Sequence, residues 1–170
     1  LNYERTIKYN TELVDFGRST ANQQFISTGI INSAEAYYLN GNYDKAKELY
    51  AKALRLAQTN GSIRDCIICL GNVGIVYFTL NNHQKALQFF LKQMEGFEKL
   101  GDNPGHVRAL GHVGACYIAL HDYDRALRYL EGQLRLSKKY NYSGLLSICL
   151  GNLGIVYSLL GHFNKAQDFF

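Results

Sequence analysis

The sequence has 170 residues, 47% of them apolar and 19% charged, with a formal net charge of +4. So mild a charge argues against a polyanion binder, and one proline with sixteen glycines suits long helices and tight turns rather than disorder. The apolar share is ample for a continuous core.

Taken from the N-terminus, apolar periodicity predicts helices at 3–18, 23–40, 44–58, 63–80, 84–99, 104–120, 124–139, 143–160 and 163–170. In the fourth, Cys66, Leu70, Val73, Tyr77 and Leu80 form one apolar stripe. Asn81-Asn82 breaks it, and Ala86, Phe90, Met94 and Phe97 form the stripe of the next helix. Asn60-Gly61, Leu100-Gly101 and Asn141-Tyr142 read as helix terminators. The helix at 143–160 is long and uncharged, but Ser143, Gly144, Ser147, Gly151, Asn152, Gly154 and Ser158 argue against a membrane span.

These helices repeat. Gly71-Asn72-Val73-Gly74-Ile75-Val76-Tyr77 returns forty residues later as Gly111-His112-Val113-Gly114-Ala115-Cys116-Tyr117, and again as Gly151-Asn152-Leu153-Gly154-Ile155-Val156-Tyr157. A divergent copy, Ile31-Asn32-Ser33-Ala34-Glu35-Ala36-Tyr37, stands one period upstream. A second block follows each copy at a fixed offset: Asn42-Tyr43-Asp44-Lys45-Ala46, Asn82-His83-Gln84-Lys85-Ala86, Asp122-Tyr123-Asp124-Arg125-Ala126 and His162-Phe163-Asn164-Lys165-Ala166. A period of this size marks a stack of helix pairs. The expected organisation is one array over 1–170. Within it, 1–20 is the trailing helix of a preceding repeat, 23–60, 63–100 and 103–140 are full repeats, and 143–170 is a truncated one. Starting and stopping inside a repeat, with no basic-then-apolar leader, reads as a piece of a longer array. Gly74, Gly114, Gly154 and Ala34 recur in phase with Ala46, Ala86, Ala126 and Ala166, as close helix packing requires.

The pattern Gly-Asn-x-Gly-x-x-Tyr, followed by Gly/Asn-x-Tyr/Phe-x-Lys-Ala, resembles the tetratricopeptide repeat. The forty-residue period is similar to its long-helix variety, found in the arrays of the spindle-orientation adaptor LGN/Pins and, less closely, of kinesin light chain. The resemblance implies an all-α, right-handed superhelical solenoid of antiparallel helix pairs, with first helices lining a concave groove and second helices covering the convex side. Ile31 and Ala34 in place of both glycines, and His112 in place of asparagine, depart from the pattern.

Little here suggests catalysis, a cofactor or a metal. Cys66-x-x-Cys69 lacks two further zinc ligands nearby. Cys69, Ala109 and Cys149 share one slot, as small core residues do, and the expected setting is a reducing, cytoplasmic one. The histidines at 83, 106, 112, 121 and 162 fall mainly at turns and helix starts. The Gly-x-x-Gly pairs lie mid-helix, where the amides are already bonded, so they cannot cradle phosphate.

Charge is distributed unevenly. Second helices carry runs such as Asp124, Arg125, Arg128, Glu131, Arg135, Lys138 and Lys139. First helices carry Glu35 alone, then Arg64 with Asp65, then Arg108, then none. On the implied groove, Asn32, Asn72, His112 and Asn152 share a slot. Amide donors and acceptors suit the main chain of an extended peptide, a role the family resemblance also implies. Ile68, Ile75, Phe78, Ile148 and Ile155 would offer apolar pockets beside them, and Arg108 an anchor for an acidic side chain. The same asparagines can equally serve to bond neighbouring helices. The expected function is a non-enzymatic adaptor that binds a protein or peptide ligand, with no nucleic-acid or membrane partner. The alternative is a self-associating array, a homo-oligomer packed through its bare first helices and its Phe169-Phe170 tail.

Overall fold

The structure, a computed structural model, describes residues 3–169. Phe170 of the aromatic tail, and Leu1 and Asn2 of the leading remnant, lie outside the described residues. The elements are α1 (Tyr3–Ser19), α2 (Gln23–Leu39), α3 (Tyr43–Thr59), α4 (Ile63–Thr79), α5 (His83–Leu100), α6 (Asn103–Ala119), α7 (Tyr123–Lys139), α8 (Ser143–Leu159) and α9 (Phe163–Gln167).

The turns explain why these lengths are so regular. Ala21, Gly41, Gly61, Asn81, Gly101, His121, Asn141 and Gly161 all take positive φ, one every twenty residues. Each ends a helix in the left-handed conformation, and after Ala21, Gly41, Gly61, Gly101, His121, Asn141 and Gly161 the next residue's amide reaches back five positions, as Asn22 N–H does to Gly17 O (2.8 Å) and Asp102 N–H to Phe97 O (3.0 Å). That next residue also caps the following helix. Asn22, Asn42, Asn82, Asp102 and Asp122 accept amides of the first turn on their side chains. One short segment thus closes one helix and opens another, and α2, α3, α4, α6, α7 and α8 each have seventeen residues. His121 and His162 are turn and cap residues here.

Only the last expected helix differs by more than a residue or so. Instead of running to 170, α9 stops at Gln167, and Phe169 turns back to stack on Tyr157 with ring centroids 5.4 Å apart. Aromatic burial against α8 replaces continued helix.

The chain divides into two compact units, one ending at Asn81 and the other beginning at Asn82. In the first, α1–α4 pack around Val14, Ile30, Ala53 and Cys69, with Ile26, Ile31 and Leu49 against them. In the second, α5–α9 enclose Val107, Val113, Cys116, Leu130, Cys149 and Leu153, each at most 1% exposed. The Cys149 thiol donates to Leu130 O across 3.1 Å. At Gly114 an added Cβ would come within 2.8 Å of Leu130, so close approach of α7 demands glycine there. Cys69, Ala109 and Cys149 are all buried, and burial pushes the Cys69 thiol up to about 12 and that of Cys149 to about 11. Among the described residues, no helix is long and apolar enough to cross a membrane, and no group of three or more His, Cys, Asp or Glu is placed to hold a metal ion.

Candidate functional site

In the first unit the site is built by residues one period apart. Glu35 on α2 and Ile75 on α4 occupy the same repeat slot, so stacking brings them to neighbouring positions. With Tyr38, Leu39, Tyr50 and Asn72 they line a hollow of about 160 Å³. The Tyr38 hydroxyl and the Thr79 hydroxyl are 2.9 Å apart, which ties α2 to α4 beside Tyr38. Tyr50 forms the floor at 5% exposure, and its phenol is held well above the usual range by burial and then by the carboxylate of Glu35. The hollow therefore combines one carboxylate, one amide and aromatic walls. Asn32 is exposed, while Asn72, Ile68, Ile75 and Phe78 are half-buried.

The second unit repeats the construction with other chemistry. Arg108 and Ile148 again share a slot, on α6 and α8, and they line an open hollow of about 580 Å³ with Pro104, Tyr142, Gly144 and Leu145. Arg108 is exposed. Tyr142 stands at the N-cap of α8 without a side-chain cap bond, whereas Asp102 caps α6 through Gly105 N–H (2.8 Å). Ile148 and Ile155 are 59% and 45% exposed on a helix without charge, and Asn152 is half-buried.

His112 is placed differently from the asparagines of its slot. Its ring lies against Phe90, centroids 4.7 Å apart, and Nδ1 is 3.4 Å from the side-chain oxygen of the buried Gln93. Burial, with Arg108 second, pulls its pKa down to about 4. A neutral ring packed in this way spends one face and one nitrogen on α5.

A sequence profile of the tetratricopeptide repeat matches residues 26–99 and 105–170. The chain belongs to the tetratricopeptide repeat family. No curated protein sequence matches it. Among solved structures, this tetratricopeptide repeat chain is similar to the putative kinesin light chain TPR-like repeats of Podosopora anserina (15% identity, TM-score 0.78, covering 98% of this chain and 82% of that one). It is similar to the Rap conjugation gene regulator of plasmid pLS20 in complex with the Phr* peptide (16%, TM-score 0.77, 90% and 43%). It is also similar to aspartyl phosphate phosphatase F from Bacillus subtilis (15%, TM-score 0.81, 98% and 48%). The chain thus spans less than half of the Rap regulator and of the phosphatase. At these identities the likeness is one of fold.

Glu35, Tyr38 and Tyr50 were not among the residues expected to form the site. For Glu35 a signal existed, since it is the only charge on α2 and lies in the slot of Ile75. For Tyr50 there was none, because it reaches the hollow from a second helix.

Proposed function

We propose that the exposed faces of the first helices bind an extended segment of another protein, and that the array acts as a non-enzymatic adaptor. The observation that carries this reading is Asn72, a half-buried amide that lines one hollow together with Ile75 and Glu35. An amide so placed can donate to and accept from a passing main chain, while the walls receive a side chain. Glu35 then favours a basic or hydrogen-donating residue in the first unit. Arg108 favours an acidic one in the second, with Ile148 and Ile155 as apolar contacts. Asn32 and Asn152 serve main chain in the same way, and His112 contributes through its remaining nitrogen. The peptide-bound Rap regulator, similar in fold, is in keeping with this reading.

A random-peptide display selection against the 170-residue chain tests it. Selected peptides should lose about 1 kcal/mol or more of binding for each of Asn72→Ala and Asn152→Ala, with unfolding midpoints unchanged. Undiminished binding by the double variant would remove the asparagines from the site.

A second reading draws on the 59% exposed Ile148, 45% exposed Ile155 and 54% exposed Leu159 of α8, which would suit a second copy of the chain. Phe169 is less available for it, being stacked on Tyr157. Light scattering over a concentration series distinguishes the two, since a monomer at every concentration is incompatible with self-association.

A further inference from the structure

On α6, His106 and Leu110 each lie two residues from Arg108, about 200° around the helix, and so face away from the surface just described. There they meet α7 across a hollow of about 380 Å³. We propose that this hollow docks an acidic, extended segment of a partner protein, two carboxylates of which pair with Arg128 and Arg135.

The α7 side of the hollow is one stripe, Arg125, Arg128, Gly132 and Arg135, at spacings of three, four and three. Arg125 is already engaged. It pairs with Asp122, its guanidinium lies 4.7 Å from the centre of the Tyr117 ring, and Tyr117 stacks in turn on Tyr129. It forms a wall. Arg128 and Arg135 have no ion pair among the described residues, although Asp122 is close enough to feel Arg128. Asp124 and Glu131, the two carboxylates of α7, do not line the hollow. Between the two arginines stands Gly132, where an added Cβ would find only Leu110 at 3.9 Å. The missing side chain leaves Leu110 as an apolar floor, with Leu136 beside it.

The equivalent positions on the sister helices do not combine these features. Where α7 has Arg128, Gly132 and Arg135, α3 has Glu48, Lys52 and Arg55, and α5 has Gln88, Lys92 and Glu95. On α3, Glu48 is occupied by Lys45 at 2.8 Å. A basic residue at the Arg125 position recurs in every repeat and belongs to the fold. The pair of arginines about an open glycine belongs to α7 alone.

Seven residues of helix separate the arginine Cα atoms by about 10 Å along the axis. A chain in the polyproline-II form of extension, with three residues per turn and about 3.1 Å per residue, covers that distance in about three residues and returns side chains i and i+3 to the same face. The geometry therefore fits two carboxylates three residues apart with an apolar side chain between them over Leu110. Arg128 and Arg135 could each form a bidentate, charge-assisted pair. His106, whose Nδ1 is 3.3 Å from Met94 O, retains Nε2 for the segment's backbone. A nucleic acid fits poorly, since two unpaired arginines neutralise too few phosphates for appreciable affinity.

The probe is the blocked octapeptide Gly-Gly-Glu-Leu-Ala-Glu-Gly-Gly, titrated into the isotope-labelled chain and followed by backbone amide shifts. Saturable shifts should centre on Leu110, Gly132 and Leu136, and the peptide with both glutamates replaced by glutamine should bind at least tenfold more weakly. Arg128→Glu with Arg135→Glu should abolish binding and accept the peptide carrying lysine at both positions. That reversal reads recognition rather than folding. Asn72→Ala should leave the titration unchanged, which separates this surface from the first-helix faces. Equal binding of the glutamine peptide, shifts centred elsewhere or no saturable shift at millimolar peptide would each overturn the proposal. So would tighter binding, through the same arginines, of an oligouridine octamer or of phosphatidylserine vesicles.

Discussion

The first unit sets Ile31 against a core containing Ala53, whereas the second sets Gly111 against Gln133 in the same two slots. Ile31 is large where its partner is small. At Gly111 the relation is inverted, for an added Cβ would fall 2.5 Å from the Gln133 side-chain nitrogen. Each unit thus holds one large and one small residue in these two slots, in opposite order. In this light Ile31 is half of a compensated pair rather than a lapse from the repeat pattern.

The comparison can be broken most strongly at that pair. Ile31→Gly should cost about 3 kcal/mol, from a cavity plus the helical glycine penalty, measured by urea unfolding. Gly111→Ile should cost about 1–3 kcal/mol through overpacking, and adding Gln133→Ala should restore much of the loss. An additive double variant would mean that the two slots do not compensate.

The next difference is ionic. His112 in the second unit stands where the first unit has Asn32 and Asn72. In the folded chain its pKa is pulled to about 4, against an ordinary value of 6.5, so it contributes stability that is fully present above about pH 6.5. That contribution falls away as pH drops towards 4, because the unfolded ring takes up a proton first. His112→Asn should therefore flatten the stability profile between these limits by about 1–3 kcal/mol, as read from urea midpoints against pH.

A smaller effect separates the two hollows by charge. Glu35→Lys should weaken selected peptides that carry a basic residue by about 1 kcal/mol and leave those that depend on an acidic one unaffected, with Arg108→Glu doing the converse. Calorimetric titration of both peptide sets reads this directly. Smallest is a turn. Ala21 has φ of 51° where Gly101, two repeats along, has 69°, and Ala21→Gly should raise the unfolding free energy by up to about 1 kcal/mol.

Much of the fold was legible because its information is local and redundant. Turn residues, caps and apolar stripes each mark the same helix ends, so errors stayed near one residue until Phe169 met Tyr157. Slot equivalence accounts, once the structure is seen, for Arg108 and Ile148 lining one hollow, since stacking makes neighbours of residues one period apart. It gave less for environment. His112 shares a slot with Asn72, yet Phe90 and Gln93 surround it, and those neighbours are set by the facing helix. Tyr50 reaches its hollow in the same indirect way. Gly132 was unremarkable as a letter because its effect is the space it leaves.

The turns also bear on how such a chain can change length. Left-handed residues recur every twenty positions, but bare and charged helices alternate every twenty as well. Excising or duplicating two consecutive helices rejoins like with like, so a recombination event of that size would be silent to the fold. Losing a single helix would preserve every turn and yet present a densely charged surface where a sparsely charged one had been. Genetic gain and loss in this chain is therefore expected to proceed in steps of forty.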